Sequence, residues 1–399
     1  MIRILFLSFY YPPDLSAGSF RIKALVDALQ SNYKDEIEID IITTLPNRYN
    51  EHNIIAANFE QQDGLTISRI ALPSHKGGMV DQAWAFFAFA KQAIKLVHSK
   101  RYDAVLSTSS RLMTAVLGAQ IARRKKCPLY LDIRDLFVDT MGDILTNPLV
   151  RAAMPIFWWL ERKTFAQAEA ISIVSAAFEP YVKGIARTDK IWLSTNGIDD
   201  EFLDRSFAKS DSNEQIPPTI LYAGNVGEGQ GLEQVLPQAA VQLLGRANFK
   251  VIGGGGRLQH LKNAAVGLEN VEISPPVKRM ELIEHYRAAD VLLIHLNDYQ
   301  AFHKVLPSKM FEYAATGKPI IAGVSGYASE FIAQNVAGAF VFNPCDHNGL
   351  RLAVEQAKAG PRHYDRTDFC KEFARSVIMG NLAQNLASDL SDHMRPKFQ

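Results

Sequence analysis

Four polar side chains in residues 302–323 are spaced to handle a phosphorylated ligand. Lys304, Ser308, Lys309 and Glu312 lie in Phe302-His-Lys-Val-Leu-Pro-Ser-Lys-Met-Phe-Glu-Tyr313. Pro307-Ser308 reads as a helix start, where proline suits the first turn and serine can cap free N–H groups. Gly317 reads as the helix stop, and Pro319-Ile-Ile-Ala322 as the start of a buried strand. Ser308, Lys309 and Glu312 then share one helix face. A helix N-terminus beside Lys304 and Lys309 attracts anions. A carboxylate one turn further in can accept hydrogen bonds from two vicinal hydroxyls, and phosphate next to ribose is what a nucleotide presents. The competing reading is a solvated Lys–Glu pair on an ordinary helix.

Other chemistry-bearing residues stand at strand ends. After the first strand comes Tyr10-Tyr-Pro-Pro-Asp-Leu-Ser-Ala-Gly-Ser-Phe-Arg21, a small-residue loop in which Gly18 lets a phosphate or sugar approach the backbone. It is not G-x-G-x-x-G, and Thr43-Thr44 stand where a dinucleotide site has its acid, so a nicotinamide cofactor is disfavoured. Leu131-Asp-Ile-Arg-Asp-Leu-Phe-Val-Asp139 offers Arg134 to grip phosphate, and Asp132 or Asp135 to orient it or accept a hydroxyl proton. An ion-pair cluster capping the sheet is the alternative. In the second half, Tyr222-Ala-Gly-Asn-Val-Gly-Glu-Gly-Gln-Gly-Leu232 carries Asn225 and Gln230 in a glycine-rich turn. Gly253, Gly254, Gly255 and Gly256 form a run that reads as room for a ligand, and the backbone near Val277 is placed to read a base edge.

The elements that must position these residues alternate strand and helix almost throughout. Strands are expected at 2–9, 37–44, 65–72, 104–108, 129–133, 170–175 and 191–195, then at 219–223, 249–252, 271–273, 291–296, 319–324 and 339–342. Most are continuous apolar runs, as in parallel sheets covered on both faces. This is doubly wound α/β, with a first Rossmann-like half at 1–203, a polar linker at 204–218, a second half at 219–364, and a helical tail at 365–399 expected to return to the first half. In such sheets ligands bind at the carboxyl ends of the strands, which directs the expected site to the cleft between the halves.

Composition narrows the function. A length of 399 residues suits two domains, and 47% hydrophobic with 21% charged residues suits a soluble globular protein. A net charge of +1 gives no field for nucleic acid. Cys127, Cys345 and Cys370 are isolated and are read as reduced thiols in a cytosolic protein; no spacing of His or Cys marks a metal site. The apolar start meets Pro12-Pro13 too soon for a signal peptide and is expected to be a core strand. Trp84, Phe86, Phe87 and Phe89 accompany Lys91, Lys95, Lys100 and Arg101. Arg123-Arg-Lys-Lys126 is a basic run, and Phe157-Trp158-Trp159 lies near Arg151, Arg162 and Lys163. These clusters suit either core helices with solvated charges or docking on an anionic bilayer.

The combination of two Rossmann-like halves, Tyr222–Leu232, Gly253–Gly256 and Pro307-Ser-Lys-x-Phe-Glu-Tyr-x-Ala-x-Gly-Lys-Pro319 resembles the retaining glycosyltransferases of family 4. It is most similar to the bacterial surface-polysaccharide branch of N-acetylfucosamine and colanic-acid transferases. The resemblance implies a GT-B fold, two Rossmann-like domains facing across a cleft, with a nucleotide-sugar donor, UDP-linked by analogy, on the second half. It implies no cofactor or metal, and an acceptor on the first half, a polyprenyl-diphosphate-linked saccharide of O-antigen, capsule or exopolysaccharide synthesis. The location implied is cytoplasmic, peripheral on the inner face of the cytoplasmic membrane.

In this resemblance Glu312 matches the ribose-binding carboxylate, and Pro307, Ser308 and Lys309 the helix start that receives the diphosphate. Gly18 matches the first-domain glycine loop, and the segment near Val277 the base-reading loop. The chain departs from the family in three places. Lys304 replaces the first carboxylate of the usual pair, Asn225 and Gln230 replace a common Arg and Lys, and Asp132-Ile-Arg-Asp135 replaces a histidine. The positive charge opposite the pyrophosphate is therefore assigned to Lys304, Lys309 and Arg134, which would stabilise the leaving nucleoside diphosphate while the sugar becomes oxocarbenium-like. A nucleotide-sugar 2-epimerase, a phosphorylase or a non-catalytic partner subunit of the same fold are the alternatives.

Overall fold

The computed structural model describes the chain except residues 15, 47–55, 74–78, 110, 145–147, 204–206, 208–216 and 395–399. The order begins β1 (Ile2–Leu7), α1 (Ala17–Tyr33), β2 (Ile37–Thr44), β3 (Phe59–Gln62), β4 (Leu65–Ile70) and α2 (Met79–Val97). Then come β5 (Ala104–Thr108), α3 (Leu112–Lys125), β6 (Leu129–Ile133), α4 (Phe137–Ile144), α5 (Pro148–Phe165), β7 (Ala170–Ile173), α6 (Glu179–Lys183) and β8 (Ile191–Leu193). Next are α7 (Asp200–Leu203), β9 (Thr219–Asn225), α8 (Leu232–Gln242), β10 (Asn248–Gly254), α9 (Leu258–Ala264), β11 (Val271–Ser274), α10 (Arg279–Ala288) and β12 (Val291–His295). The order closes with α11 (Ser308–Ala315), β13 (Ile320–Gly323), α12 (Gly326–Asn335), β14 (Ala339–Phe342), α13 (His347–Ala359), α14 (Thr367–Glu372) and α15 (Arg375–Met394).

The chain divides into two compact units. Unit 1 is Met1–Asn196 with Arg375–Gln399, and unit 2 is Gly197–Ala374. The divisions fall earlier and later than the sequence-based boundaries at 203 and 364, for a packing reason. Phe202 of α7 lies 5.8 Å from Tyr286, and Phe369 of α14 lies 6.2 Å from Phe311, so both flanking helices join the unit 2 core. The expected linker at 204–218 lies mostly outside the described residues; Phe207 within it is buried in that same core.

In unit 1 the sheet order is β3-β4-β2-β1-β5-β6-β7-β8, parallel except for the β3–β4 hairpin. β3 was not foreseen, because Phe59-Glu-Gln-Gln62 is an exposed edge without an apolar run. In the tail, α15 packs against α1, and its Met379, Leu382, Leu386 and Leu390 are buried. Tyr130 donates to Asp389 at 2.6 Å and holds α15 to β6.

In unit 2 the order is β11-β10-β9-β12-β13-β14, all parallel, the doubly wound order whose crevice opens between its first and fourth strands. Leu221 and Ala223 face one apolar core, while Ile220 and Tyr222 face the other, so β9 is buried on both sides as its continuous apolar run requires. Among the described residues no helix is long and apolar enough to cross a membrane.

Candidate active site

The crevice of unit 2 is visible in the strand register. β9 pairs with β10 as far as Asn225, but with β12 only at Ile220↔Val291 and Leu221↔Leu292. Beyond that point α11 takes over: the Tyr313 hydroxyl accepts from the Ala223 N–H at 3.1 Å. The N-terminus of α11 is thereby directed to the β9 end.

That terminus is open. Pro307 is the N-cap, no side chain caps the helix, and Ser308 is its first residue rather than its cap. This corrects the expectation for Ser308. The reason is one of position, since a proline at the N-cap puts the serine hydroxyl inside the first turn. Lys309 lies along Gly224, where a Cβ would overlap its Cε, and Gly224 has φ +154°. Lys309 forms no hydrogen bond or ion pair among the described residues. Burial lowers its pKa against the pull of Glu312. Lys304 closes a 3-10 turn, Gln300–Lys304, that leads towards α11.

One turn into α11, Glu312 is held by two donors. Arg279 lies 3.1 Å from Oε1, and the Tyr286 hydroxyl donates to Oε2 at 3.2 Å. Arg279 also bonds Asp199 at 2.6 Å and pairs with Glu201. Burial opposes the charge of Arg279, but the surrounding carboxylates outweigh it and raise its pKa. The segment before α10 carries Val277, whose N–H and C=O have no hydrogen-bond partner among the described residues.

The glycine turn after β9 is braced from within. Gln230 Oε1 accepts from Asn225 Nδ2 at 2.7 Å and from the Gly227 N–H at 3.2 Å. Beneath it, His295 Nδ1 lies 2.5 Å from Gln230 O, and Nε2 accepts from the Cys345 N–H at 3.0 Å. Both ring nitrogens are used by a neutral imidazole, and burial lowers its pKa to about 4. The glycine run needs a correction. A Cβ on Gly253 would overlap Gly224 O, and one on Gly255 would overlap Val226 O. Close packing of β10 on β9, not ligand approach, accounts for these two; Gly254 lies beside Pro276 and Gly256 is open.

Unit 1 treats its strand-end charges differently. Asp132, at the end of β6, is 1% exposed and bonded to Arg21 of α1, with 2.7 Å between Asp132 Oδ1 and Arg21 Nη2. Arg21 also donates to Thr195 O at 2.7 Å. Asp132 is therefore a buried structural carboxylate, not a proton acceptor for a substrate, because both partners are sealed in the core. Gly18 is also corrected: a Cβ there would overlap Arg134 Nη1, so the glycine makes room for a guanidinium rather than for a ligand. Arg134 Nε is buried without a partner, and burial lowers its pKa against the pull of Asp135. Asp135 itself is exposed.

Sequence reasoning missed Arg21, Arg279, Tyr286 and His295. Arg21 left a signal, since it precedes Leu25 and Leu29 by one and two helical repeats on the buried stripe of α1. Among the described residues Glu169, Asp389 and His393 could group around a cation, but Lys190 Nζ already bonds Glu169 at 2.7 Å and Asp389. The aromatic clusters divide. Phe86 and Phe89 pack on Phe9, whereas Trp84, Phe87, Trp158 and Trp159 are 63, 59, 49 and 54% exposed.

Two parallel α/β units, one with an open helix terminus at its switch-point crevice, define the GT-B class. Residues 20–189 match the glycosyl transferase 4-like domain, and residues 204–375 match glycosyl transferases group 1. The chain thus joins one domain of each kind. It is 28% identical over 177 residues to an Escherichia coli (strain K12) protein described as a colanic acid biosynthesis glycosyl transferase, WcaI. That match covers 43% of this chain and 42% of the relative, so it spans less than half of the relative's length. The fold matches sucrose-phosphate synthase of Thermosynechococcus elongatus with a TM-score of 0.73 at 15% identity, over 98% of this chain and 100% of that one. It matches Anabaena HepE, solved in complex with UDP, with a TM-score of 0.66 at 14% identity, over 97% and 99% of the two chains.

Proposed function

We propose that the protein is a retaining glycosyltransferase that binds a nucleotide sugar, UDP-linked, on unit 2. It transfers the sugar to a lipid-linked saccharide in surface-polysaccharide synthesis. The observation that carries this reading is the uncapped start of α11, with Lys309 left without a partner and Glu312 one turn further in. Free N–H groups and an ammonium receive a diphosphate, and the carboxylate receives ribose hydroxyls. The unpaired N–H and C=O of Val277 supply a donor and an acceptor for a base edge. A structure of the same fold holding UDP, and a relative described in colanic acid biosynthesis, support the choice of substrate class.

In this reading Lys309 and Lys304 stabilise the charge that grows on the leaving diphosphate, and no metal cofactor is required. The leaving phosphate takes the acceptor's proton. Activity undiminished by a chelator is the expected result. The exposed aromatic residues support docking at the inner face of the cytoplasmic membrane. Trp84 stacks on Phe87 at 5.8 Å, Arg162 lies 4.5 Å from the Trp158 ring, and Lys163 lies 4.6 Å from that of Trp159. Rings beside cations on α5, and a stacked exposed ring pair on α2, suit an anionic interface. Co-sedimentation with vesicles containing acidic lipid tests this docking.

Calorimetry tests the donor site: Glu312→Ala is expected to weaken UDP binding by about 1–3 kcal/mol through lost hydrogen bonds to a charged acceptor. Unchanged affinity rejects the assignment. Incubation with UDP-sugar alone separates transfer from epimerisation, because an epimerase turns over without an acceptor.

A further inference from the structure

Arg279 joins three carboxylates from two places in unit 2, the start of α7 and α11. Its Nη1 meets Glu312, its Nη2 meets Asp199, and its Nε bonds Glu201, while the guanidinium rests 4.8 Å from the centre of the Phe202 ring. The second donor to Glu312, Tyr286, is fully buried, lying 5.3 Å edge-on to Tyr313 and 5.8 Å from Phe202. A glutamate on a helix surface ordinarily samples several rotamers. Here one donor on each oxygen removes that freedom. Each carboxylate oxygen has two acceptor positions, so one remains on each, and the side chain keeps 15% exposure. Two aimed acceptor positions on one carboxylate match two vicinal hydroxyls.

The charge count points the same way. Three carboxylates around one guanidinium leave an excess of negative charge at the Glu312 end, while Lys309 and the helix terminus are positive. A ligand with hydroxyls at one end and phosphates at the other is therefore oriented before it makes a contact.

We infer that Arg279, together with Tyr286, is the positioning residue that holds Glu312 to read the vicinal hydroxyls of a ribose, and so sets the preference for ribonucleotides over deoxyribonucleotides. The inference rests on the nucleotide assignment made above for unit 2. A carboxylate that cannot turn away is left with unmet acceptor capacity when a hydroxyl is missing, and this is how a polar site rejects the lesser analogue. A carboxylate free to rotate returns to water and loses the discrimination.

The test is calorimetric titration of UDP and 2′-deoxy-UDP into the wild-type chain, Arg279→Lys and Tyr286→Phe, with melting temperatures alongside. The wild type is expected to prefer UDP by about 10-fold or more. Arg279→Lys is expected to bring the two affinities within about 2-fold, and Tyr286→Phe to reduce the preference about 3-fold with little change in melting temperature. Tyr286→Phe keeps the buried ring, so it decides the matter if Arg279→Lys does not fold. Preference retained in the folded variants, whatever their melting temperatures, makes Arg279 a tether between α7 and α10 and overturns the inference. A wild type that binds both nucleotides equally overturns it while leaving the nucleotide site intact. A wild type that binds neither removes the nucleotide reading itself, and the inference with it.

Discussion

Two Arg–carboxylate pairs, one in each unit, differ in burial. Arg21–Asp132 in unit 1 has side chains 1% and 2% exposed, while Arg279–Glu312 in unit 2 has 20% and 15%. The first is closed: Arg21 is further satisfied by Thr195 O and Ser172, and the pair joins α1 to β6. The second is partly open and lies beside a lysine that no group neutralises. The helix starts differ in parallel. Ser16 caps α1 by accepting from the Ser19 N–H at 3.1 Å, whereas α11 has no side-chain cap. An arginine–carboxylate pair is thus closed scaffold in one unit and keeps exposed acceptor positions in the other, according to what else competes for its hydrogen bonds.

The largest effect should come from opening the closed pair. Asp132→Asn leaves Arg21 buried without its counter-charge, and we expect a loss of about 3–5 kcal/mol in denaturant-monitored stability of unit 1. A loss below about 1 kcal/mol would show the pair to be no more buried in effect than its counterpart. Next, acid should weaken unit 2 through His295. The folded imidazole titrates near 4 against 6.5 for the free group, so the unfolded chain takes the proton first as pH falls. The stability from neutral His295 is complete above pH 6.5 and is lost towards pH 4, by roughly 3 kcal/mol. Hydrogen exchange of the 224–231 amides measured across that range should accelerate in the wild type and flatten in His295→Gln.

Gly253→Ala should cost about 1–3 kcal/mol by overpacking against Gly224, whereas Gly256→Ala, in open space, should stay within about 0.5 kcal/mol. Equal effects would return the glycine run to a ligand role. A small change of opposite sign should come from Lys309→Met, which removes an unpaired, half-buried ammonium. We expect unit 2 to gain about 0.5–1 kcal/mol while affinity for a nucleoside diphosphate falls. A loss of stability would mean that the lysine serves the fold, as Arg21 does.

The alternation of apolar runs and helical stretches made the doubly wound fold legible, because strands buried on both faces have no other composition available to them. Glu312, Lys309 and the helix start were legible because their relation is local, within one turn. Asp132 and Gly18 were read as ligand groups because nothing near them in sequence reveals Arg21 or Arg134, which arrive from other elements. The boundaries at 196 and 374 depended on aromatic contacts of Phe202 and Phe369 that span long stretches of chain.

The sequence by itself determined which residue types stand at the ends of strands and which helices alternate with them, since propensity and periodicity act over a few residues. Only the tertiary structure decided which of those charges are spent on one another. Arg21 reaches Asp132, and Arg279 reaches Glu312, across separations that local pattern cannot encode. A charged side chain becomes available to a ligand only when the fold leaves it short of partners, as with Lys309.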